Sequence, residues 1–536
     1  MFDVNSLCRS LLEQRVRSMD LTQALLASYG NAYHLAIPTL LLSFLICVIA
    51  SSILLRRYRL RLPPGPPGIP VIGHFHLLGT NPHCSLAELS KKYGSLMFLR
   101  FGSVPVIVAS SPATARLIFQ THDQNFSWRS RPAAAMHIYE CKNMLFSQPG
   151  PYFRLMRQIS ISDLFGNKRL EGFRPLISRE IHELLLAIVR LPDKVPVRAS
   201  LYEASLSIIS KMAIGKHVKD IATQSQSDPS NNLVAILLEV VYLLGVFNMG
   251  DYIPLLAWMD LQGVARRGKA VSKKMRTVWQ EVIDERRKER LNRTSDTADA
   301  DFLDVLLTTS SNQKEFLITD LHIMATLTDM FAAGIDTSTV TVEWALAELL
   351  KHPHILKKLQ DELDAVVGSN RLVQDSDIRE LPYLRAVVKE TMRLHPVLPL
   401  LVPHTAKEQC ELSGYDIPSG TQAYVNVWAI GRDPTIWEKP LEFLPERFLN
   451  SNIDVRGQHF ELLPFGSGRR SCPGLVLGIN NVHLILASLV QAFDWMPIGE
   501  LDMTEKFGIV VTLANALVAK AEPRVPRHLV EVKKPE

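Results

Sequence analysis

The chain has 536 residues, 47% hydrophobic and 21% charged, with a formal net charge of +5, the profile of a well-packed globular protein. The excess of base is small and unclustered, which argues against nucleic-acid binding and for a membrane surface or an acidic protein partner. Six cysteines, at positions 8, 47, 84, 141, 410 and 472, include no C-x-x-C pair; this excludes a disulfide framework and a zinc-finger spacing, and fits a reducing compartment.

In chain order, the first feature is LAIPTLLLSFLICVIASSILL, residues 35–55, which carries no charge. As a helix it is roughly 32 Å long, enough to span a hydrocarbon core of about 30 Å. Arg56, Arg57, Arg59 and Arg61 follow at once, so the positive-inside rule puts the long C-terminal part in the cytosol and residues 1–34 in the lumen as a short leader. A cleaved signal peptide is the rival; the length of the core and the preceding leader favour an uncleaved anchor. Residues 56–70 form a basic, Pro-rich linker, stiff because proline fixes φ. Residues 71–536 read as one large cytosolic domain, without a fixed-period repeat. In it, 95–110 (SLMFLRFGSVPVIVAS) is a β-hairpin around Gly102-Ser103, and Ser111-Pro112 an N-cap followed by a helix. Residues 176–400 are mostly helical, with the longest helix at 320–351, stopped by His352-Pro353, and 421–430 (TQAYVNVWAI) alternates as a strand. The expected fold is mainly α with a small β part.

The chemistry centres on PFGSGRRSCPG, residues 464–474. Gly466-Ser467-Gly468 fails as a dinucleotide fingerprint because position 471 is serine and no βαβ unit frames it. The stretch also lacks a G-x-S-x-G nucleophile elbow. An apolar helix follows Gly474, so Cys472 sits at a positive helix end beside Arg469 and Arg470, which favours a thiolate. A lone thiolate suits the proximal ligand of haem iron; a buried structural cysteine is the plain alternative.

Phe465, Gly468, Arg470, Cys472 and Gly474 match F-x-x-G-x-R-x-C-x-G, and the chain thereby resembles the cytochrome P-450 superfamily. The resemblance extends from the anchor to the cysteine. It implies a single haem-thiolate monooxygenase domain behind an N-terminal transmembrane helix in the endoplasmic reticulum membrane. The implied cofactor is haem b, with Cys472 as axial ligand and Phe465, Arg470 and Gly474 framing it. NADPH acts only indirectly, through NADPH–cytochrome P-450 reductase. Glu390 and Arg393, an E-x-x-R pair in KETMR, stand one turn apart on a helix face; the family joins them to an arginine such as Arg447 of PERF in a buried structural triad. AAGIDTST (332–339) lies midway along the long helix, where Gly334 thins the helix and Thr337 can bond a backbone carbonyl one turn back. The family pattern implies an oxygen groove there, with Asp336 and Thr337 delivering protons. For the haem propionates it implies Arg157, Arg470 and His404. The family's W-x-x-x-R is here F-x-x-x-R, with Phe153 in place of the N–H-donating tryptophan.

By the same resemblance the substrate pocket draws on 130–148, 242–253, 329–337, 396–403 and 507–512, segments that are largely apolar. FNMGDYIPLLAWMDLQG (247–263) resembles plant microsomal phenylpropanoid and flavonoid hydroxylases, which implies a small aromatic substrate and O2. Terpenoid or fatty-acid oxidation stays open. A haem-thiolate isomerase or dehydratase, as in allene oxide synthases, needs no intact oxygen groove, and a non-catalytic haem sensor needs only the cysteine frame.

Overall fold

The hairpin comes first, because its turn is written in the sequence. In the computed structural model, β1 (Leu96–Phe101) and β2 (Val104–Ala109) pair antiparallel, Leu96 opposite Ala109, around Gly102 at φ +56°. A side chain at Gly102 would also strike the Tyr252 carbonyl oxygen, 2.3 Å from an added Cβ. Ser111 caps the next helix, its hydroxyl accepting from Thr114 N at 3.3 Å. The sheet is completed by β3 (His404–Thr405) and β4 (Gln422–Val425), in the order β1-β2-β4-β3, with β2 and β4 parallel. The expected strand over 421–430 is cut short. Asn426 accepts from Ala429 N at 3.0 Å and starts a helical turn, Val427–Ile430.

The structure describes residues 60–218, 220–221, 233–292, 300–312 and 318–531, with a few residues between 37 and 48. Residues 1–34, and most of 35–55, lie outside the described residues; those described in the latter, 37–41, 43, 44, 47 and 48, are helical. Pro63–Leu412 and Ile417–Glu536 belong to one compact unit. Its helices include α1 (Pro151–Ile159), α2 (Val197–Ile214), α3 (Asp320–Gly334), α4 (Asp336–Lys351), α5 (Pro382–Leu394) and α6 (Leu475–Ala492). The helix expected over 320–351 is thus α3 and α4 in line, separated only by Ile335. Every residue of α4 from Ser338 to Leu350 is buried, so this helix is the axis of the core, packed on α2, α5 and α6. Gly334 allows the close crossing with α2: an added Cβ would stand 2.8 Å from Ile209 Cδ1.

Candidate active site

The loop carrying Cys472 is built from glycines with left-handed backbone. Gly466 (φ +65°) and Gly468 (φ +71°) turn the chain back on itself. At Gly468 an added Cβ would lie 2.5 Å from the Phe119 carbonyl oxygen. The turn lets Cys472 N donate to Phe465 O at 2.9 Å, and α6 departs from Gly474 as its N-cap. Cys472 lies deep in the protein, yet its thiol carries open surface. Both hold together if the sulfur faces an internal hollow. Burial pushes the thiol pKa up, offset by the Gly474 N–H and by Arg157. The expected help from Arg469 and Arg470 is not there. Arg469 points outward and pairs with Asp123 at 2.8 Å, while Arg470 turns toward backbone carbonyls.

The long helix opens on a similar hollow. Ala333 is exposed although Phe331 and Ile335, on either side, are buried. Thr337 Oγ1 donates to Ala333 O at 2.7 Å, the one-turn-back bond expected from the sequence. Asp336 is half-buried, and its pKa is raised by burial against the pull of Arg198 on α2. Its charge is felt by Tyr202, also on α2. Adjacent in sequence, Asp336 and Thr337 therefore look in different directions.

Around the cysteine loop stands a group of cations, Arg129 buried and Arg157 and Arg470 half-buried. Arg157, on α1, donates to Ser471 O and, at 2.8 Å, to Ser471 Oγ. Arg470 donates to Ser127 O (2.7 Å), Met144 O (3.2 Å) and Ser147 O (2.5 Å). Arg129, unremarked in the sequence, donates from Nη1 to Val402 O (2.6 Å) and Pro403 O (2.8 Å), and its Nε has no partner. Thr405 N bonds Trp128 O, which brings His404 beside Arg129. His404 Nδ1 donates to Phe126 O at 2.6 Å. Burial, then Arg129, hold its pKa well below the ordinary value. Burial also lowers Arg157, Arg129 and Arg470, the last to about 10. Among the described residues, none of the three arginines pairs with a carboxylate. Phe153 lies under Arg470, ring centroid to guanidinium 3.8 Å. The residue that departs from the family's tryptophan thus holds Arg470 by a cation–π contact.

The residues of the E-x-x-R helix come together as expected. Glu390 accepts from Arg393 (2.7 and 2.8 Å), from Arg447 (3.0 Å) and from Leu444 N (2.7 Å). Glu390 and Arg393 side chains are wholly buried.

A family model described as Cytochrome P-450 matches residues 63–518. The chain belongs to the cytochrome P-450 family. It is 41% identical over 510 residues to a flavonoid 3',5'-hydroxylase of Eustoma exaltatum subsp. russellianum, covering 93% of this chain and 98% of the relative. A flavonoid 3'-monooxygenase of Arabidopsis thaliana is 40% identical over 496 residues, 90% of this chain and 95% of the relative. Cytochrome P-450 76C1 of the same plant is 39% identical over 517 residues, 94% and 98%. A zebra fish cytochrome P-450, solved with progesterone, superposes with a TM-score of 0.69 at 27% identity, over 83% of this chain and all of the other.

This P-450 is a monooxygenase with a haem-thiolate cofactor, and its site suits that group on three counts. A deep thiol faces open space, the mid-helix surface at Ala333 is bare, and one buried and two half-buried arginines lack a carboxylate partner among the described residues. A dianionic, largely apolar macrocycle is what such a set lacks. The sequence missed Arg129 because WRSRP (128–132) has no motif character; only the chain's return through 402–405 makes it part of the site.

Proposed function

We propose that this P-450 hydroxylates an aromatic carbon of a small planar metabolite of the phenylpropanoid or flavonoid type, with O2 and two electrons from NADPH delivered by a membrane-bound reductase. One oxygen atom enters the ring and the other leaves as water. The supporting observation is the 41% identity to a flavonoid hydroxylase over nearly the whole length of both chains. The apolar pocket segments agree with it: Val511 N bonds Val397 O at 2.9 Å, setting 396–403 beside 507–512, and Val397, Leu398 and Ile509 in them are half-buried apolar residues. Cytochrome P-450 76C1, at nearly the same identity, is not named for a flavonoid, so the substrate class rests on the product assay.

In this reading Cys472 would supply the thiolate that holds the haem iron, its loop steadied by the Phe465 carbonyl and its sulfur by the Gly474 N–H. Arg157, Arg470 and Arg129 take the propionates. His404, with its Nδ1 proton already given to Phe126, donates to a propionate from Nε2 only as imidazolium, which a carboxylate beside it favours. Haem, when bound, supplies oxygen activation. Thr337 holds a hydroxyl at the groove, and Asp336 passes protons from the Tyr202–Arg198 side of α2. Glu390, Arg393 and Arg447 are scaffold. The chain is a single-pass endoplasmic reticulum protein, anchored by 35–55, with its catalytic domain in the cytosol. Protease protection of microsomes tests that topology: digestion of the catalytic domain in intact vesicles is expected, and its protection refutes the orientation. The substrate is tested by spectral titration and product analysis, in microsomes with NADPH and reductase, of cinnamic-type acids, aldehydes and esters and of flavonoids. If a terpenoid or a fatty acid is oxidised instead, the aromatic assignment falls. Conversion without NADPH and reductase would favour isomerase chemistry.

A further inference from the structure

Asp329 stands two turns before Asp336 on the long helix and one turn before Ala333, on the same face. Like Cys472 it lies deep in the protein yet retains open surface, so it too borders the internal hollow. Among the described residues it pairs with no cation, and its acceptors are filled from one chain segment. Oδ1 accepts from Asn143 Nδ2 at 2.8 Å, and Oδ2 accepts from Met144 N at 3.0 Å and Leu145 N at 3.4 Å. The carbonyl side of that segment is held from the cysteine loop, where Arg470 donates to Met144 O and Ser147 O. Met144 is thus gripped at its N–H by the helix with the oxygen groove and at its carbonyl by the loop with the iron ligand. A segment fixed at those two points spans the gap between them.

We infer that Asp329 is a positioning residue that clamps residues 142–148 across the haem pocket, and so governs how a ligand enters and is oriented there. The inference rests on the reading of Cys472 and Thr337 as opposite walls of that pocket. It names a residue that the motifs of this chain do not include. The electrostatics point to positioning rather than stability. Burial raises the Asp329 carboxyl to about 6, against the three N–H donors that lower it. A carboxyl raised on folding contributes stability below its unfolded pKa that is lost as the pH rises through the folded value, so keeping it ionised at neutral pH costs global stability. The groups around it do not reverse this. Tyr139 and Tyr152 are neutral phenols whose pKa values are raised by burial and then by Asp329. Just before the segment, Glu140 is paired with Lys142 (2.8 Å) and with Arg276 of the helix Val264–Leu291 (3.1 Å). His322, whose ring is tilted 47° against Tyr152, is held near 4 by burial and stays neutral. Arg470 lies across the segment. As the pH falls through about 6, Asp329 takes up a proton and its hold on the two amides weakens.

The test is amide hydrogen exchange on the full-length, haem-loaded protein, with 1-benzyl-1,2,4-triazole, neutral over the range used, as a probe of the pocket. In Asp329→Leu, and less so in Asp329→Asn, peptides covering 142–148 should exchange about tenfold faster, and the triazole should leave the iron several-fold faster. The ferrous–CO band should not change. Wild-type exchange, corrected for intrinsic rates, should rise between pH 8 and 5.5, and Asp329→Asn should be flat. Where Asp329→Leu does not hold haem, Asn143→Ala removes one donor from the other side and should speed exchange by about threefold. Wild-type exchange and triazole release in Asp329→Asn and Asn143→Ala would overturn the clamp. Neither readout needs the natural substrate, so the result stands apart from the aromatic assignment.

Discussion

Two groups of buried charge lie in this P-450, and they are built on opposite plans. In the first, Glu390 faces Arg393 and Arg447, and the remaining N–H groups of Arg393 go to the carbonyls of Gly431, Pro440 and Glu442. The five N–H groups of Arg393 meet five acceptors, and the Glu390 carboxylate is shared by both guanidinium groups inside the protein. In the second, Arg129, Arg157 and Arg470 stand near His404 and, among the described residues, pair with no carboxylate, while Arg129 Nε is left without an acceptor. A satisfied buried pair is scaffold, which leaves nothing for a ligand to do. Like charges that burial alone would disfavour make sense when an anion completes them. The absence of a countercharge marks the functional group.

The sharpest break between the two comes from a residue in neither. Cys472→Ser should abolish the red-shifted ferrous–CO band of the thiolate complex while both charge groups stay intact, with folding stability of the haem-free chain changed by no more than about 1 kcal/mol. A thiolate-type spectrum in that variant would remove the iron ligand from this loop. Next, Glu390→Gln leaves two buried guanidinium groups unpaired and should cost about 3–5 kcal/mol. Thermal or denaturant unfolding should show the loss in haem-free and haem-loaded protein alike. Arg129→Leu sharpens the contrast, because its two effects should differ in sign. Without haem it removes an unsatisfied buried charge and should be neutral or stabilising by about 1 kcal/mol. With haem it should speed release by roughly tenfold, as expected for a lost charged hydrogen bond of about 1.5 kcal/mol. Equal destabilisation of both forms would mean that Arg129 is scaffold after all.

The contrast also explains what was legible in the sequence. The hairpin, the Ser111 cap, the long helix and the Glu390–Arg393 pair are local, set by turn chemistry and helical spacing, and all appear where the sequence puts them. Thr337 bonds Ala333 one turn back for the same reason. Arg129 carries no motif, and Asp329 and its partners are legible only as members of the pocket segments 329–337 and 130–148, because the contacts run between distant stretches, Val402–Pro403 and Asn143–Leu145, that offer mostly backbone atoms. The strand at 421–430 failed halfway, since alternation continues through Asn426 while its side chain caps a turn. Arg469 was misplaced by adjacency: next to Cys472 in sequence, it pairs with Asp123 on the surface.

Smaller effects separate positioning from chemistry inside the open group. Thr337→Ala loses one hydroxyl and its bond to Ala333 O. It should keep the CO band and lose no more than about 1 kcal/mol of stability. Product formed per NADPH should fall by roughly threefold, as proton delivery weakens and more reducing equivalents end as peroxide. Unchanged coupling would assign proton delivery to Asp336 or to a water chain.

The smallest expected effect is at Phe153, where this chain departs from its family. The ring is buried and lies 3.8 Å under the Arg470 guanidinium, so its present task is to hold that arginine. Phe153→Trp offers a stronger cation–π face, worth about 0.5–1 kcal/mol, and adds an N–H donor. The larger ring must fit a filled space, where overpacking costs about 1–3 kcal/mol. The two nearly cancel, so haem release should slow by no more than about twofold, with unfolding midpoints slightly lowered. Phe153→Leu, which stays apolar but loses the π face and some volume, should speed release by roughly threefold through a looser Arg470. If the tryptophan instead slows release tenfold or more, a propionate had lacked a donor and the arginines do not complete the site. If Phe153→Leu has no effect, Arg470 is held well enough by the carbonyls of Ser127, Met144 and Ser147, and the ring is only packing.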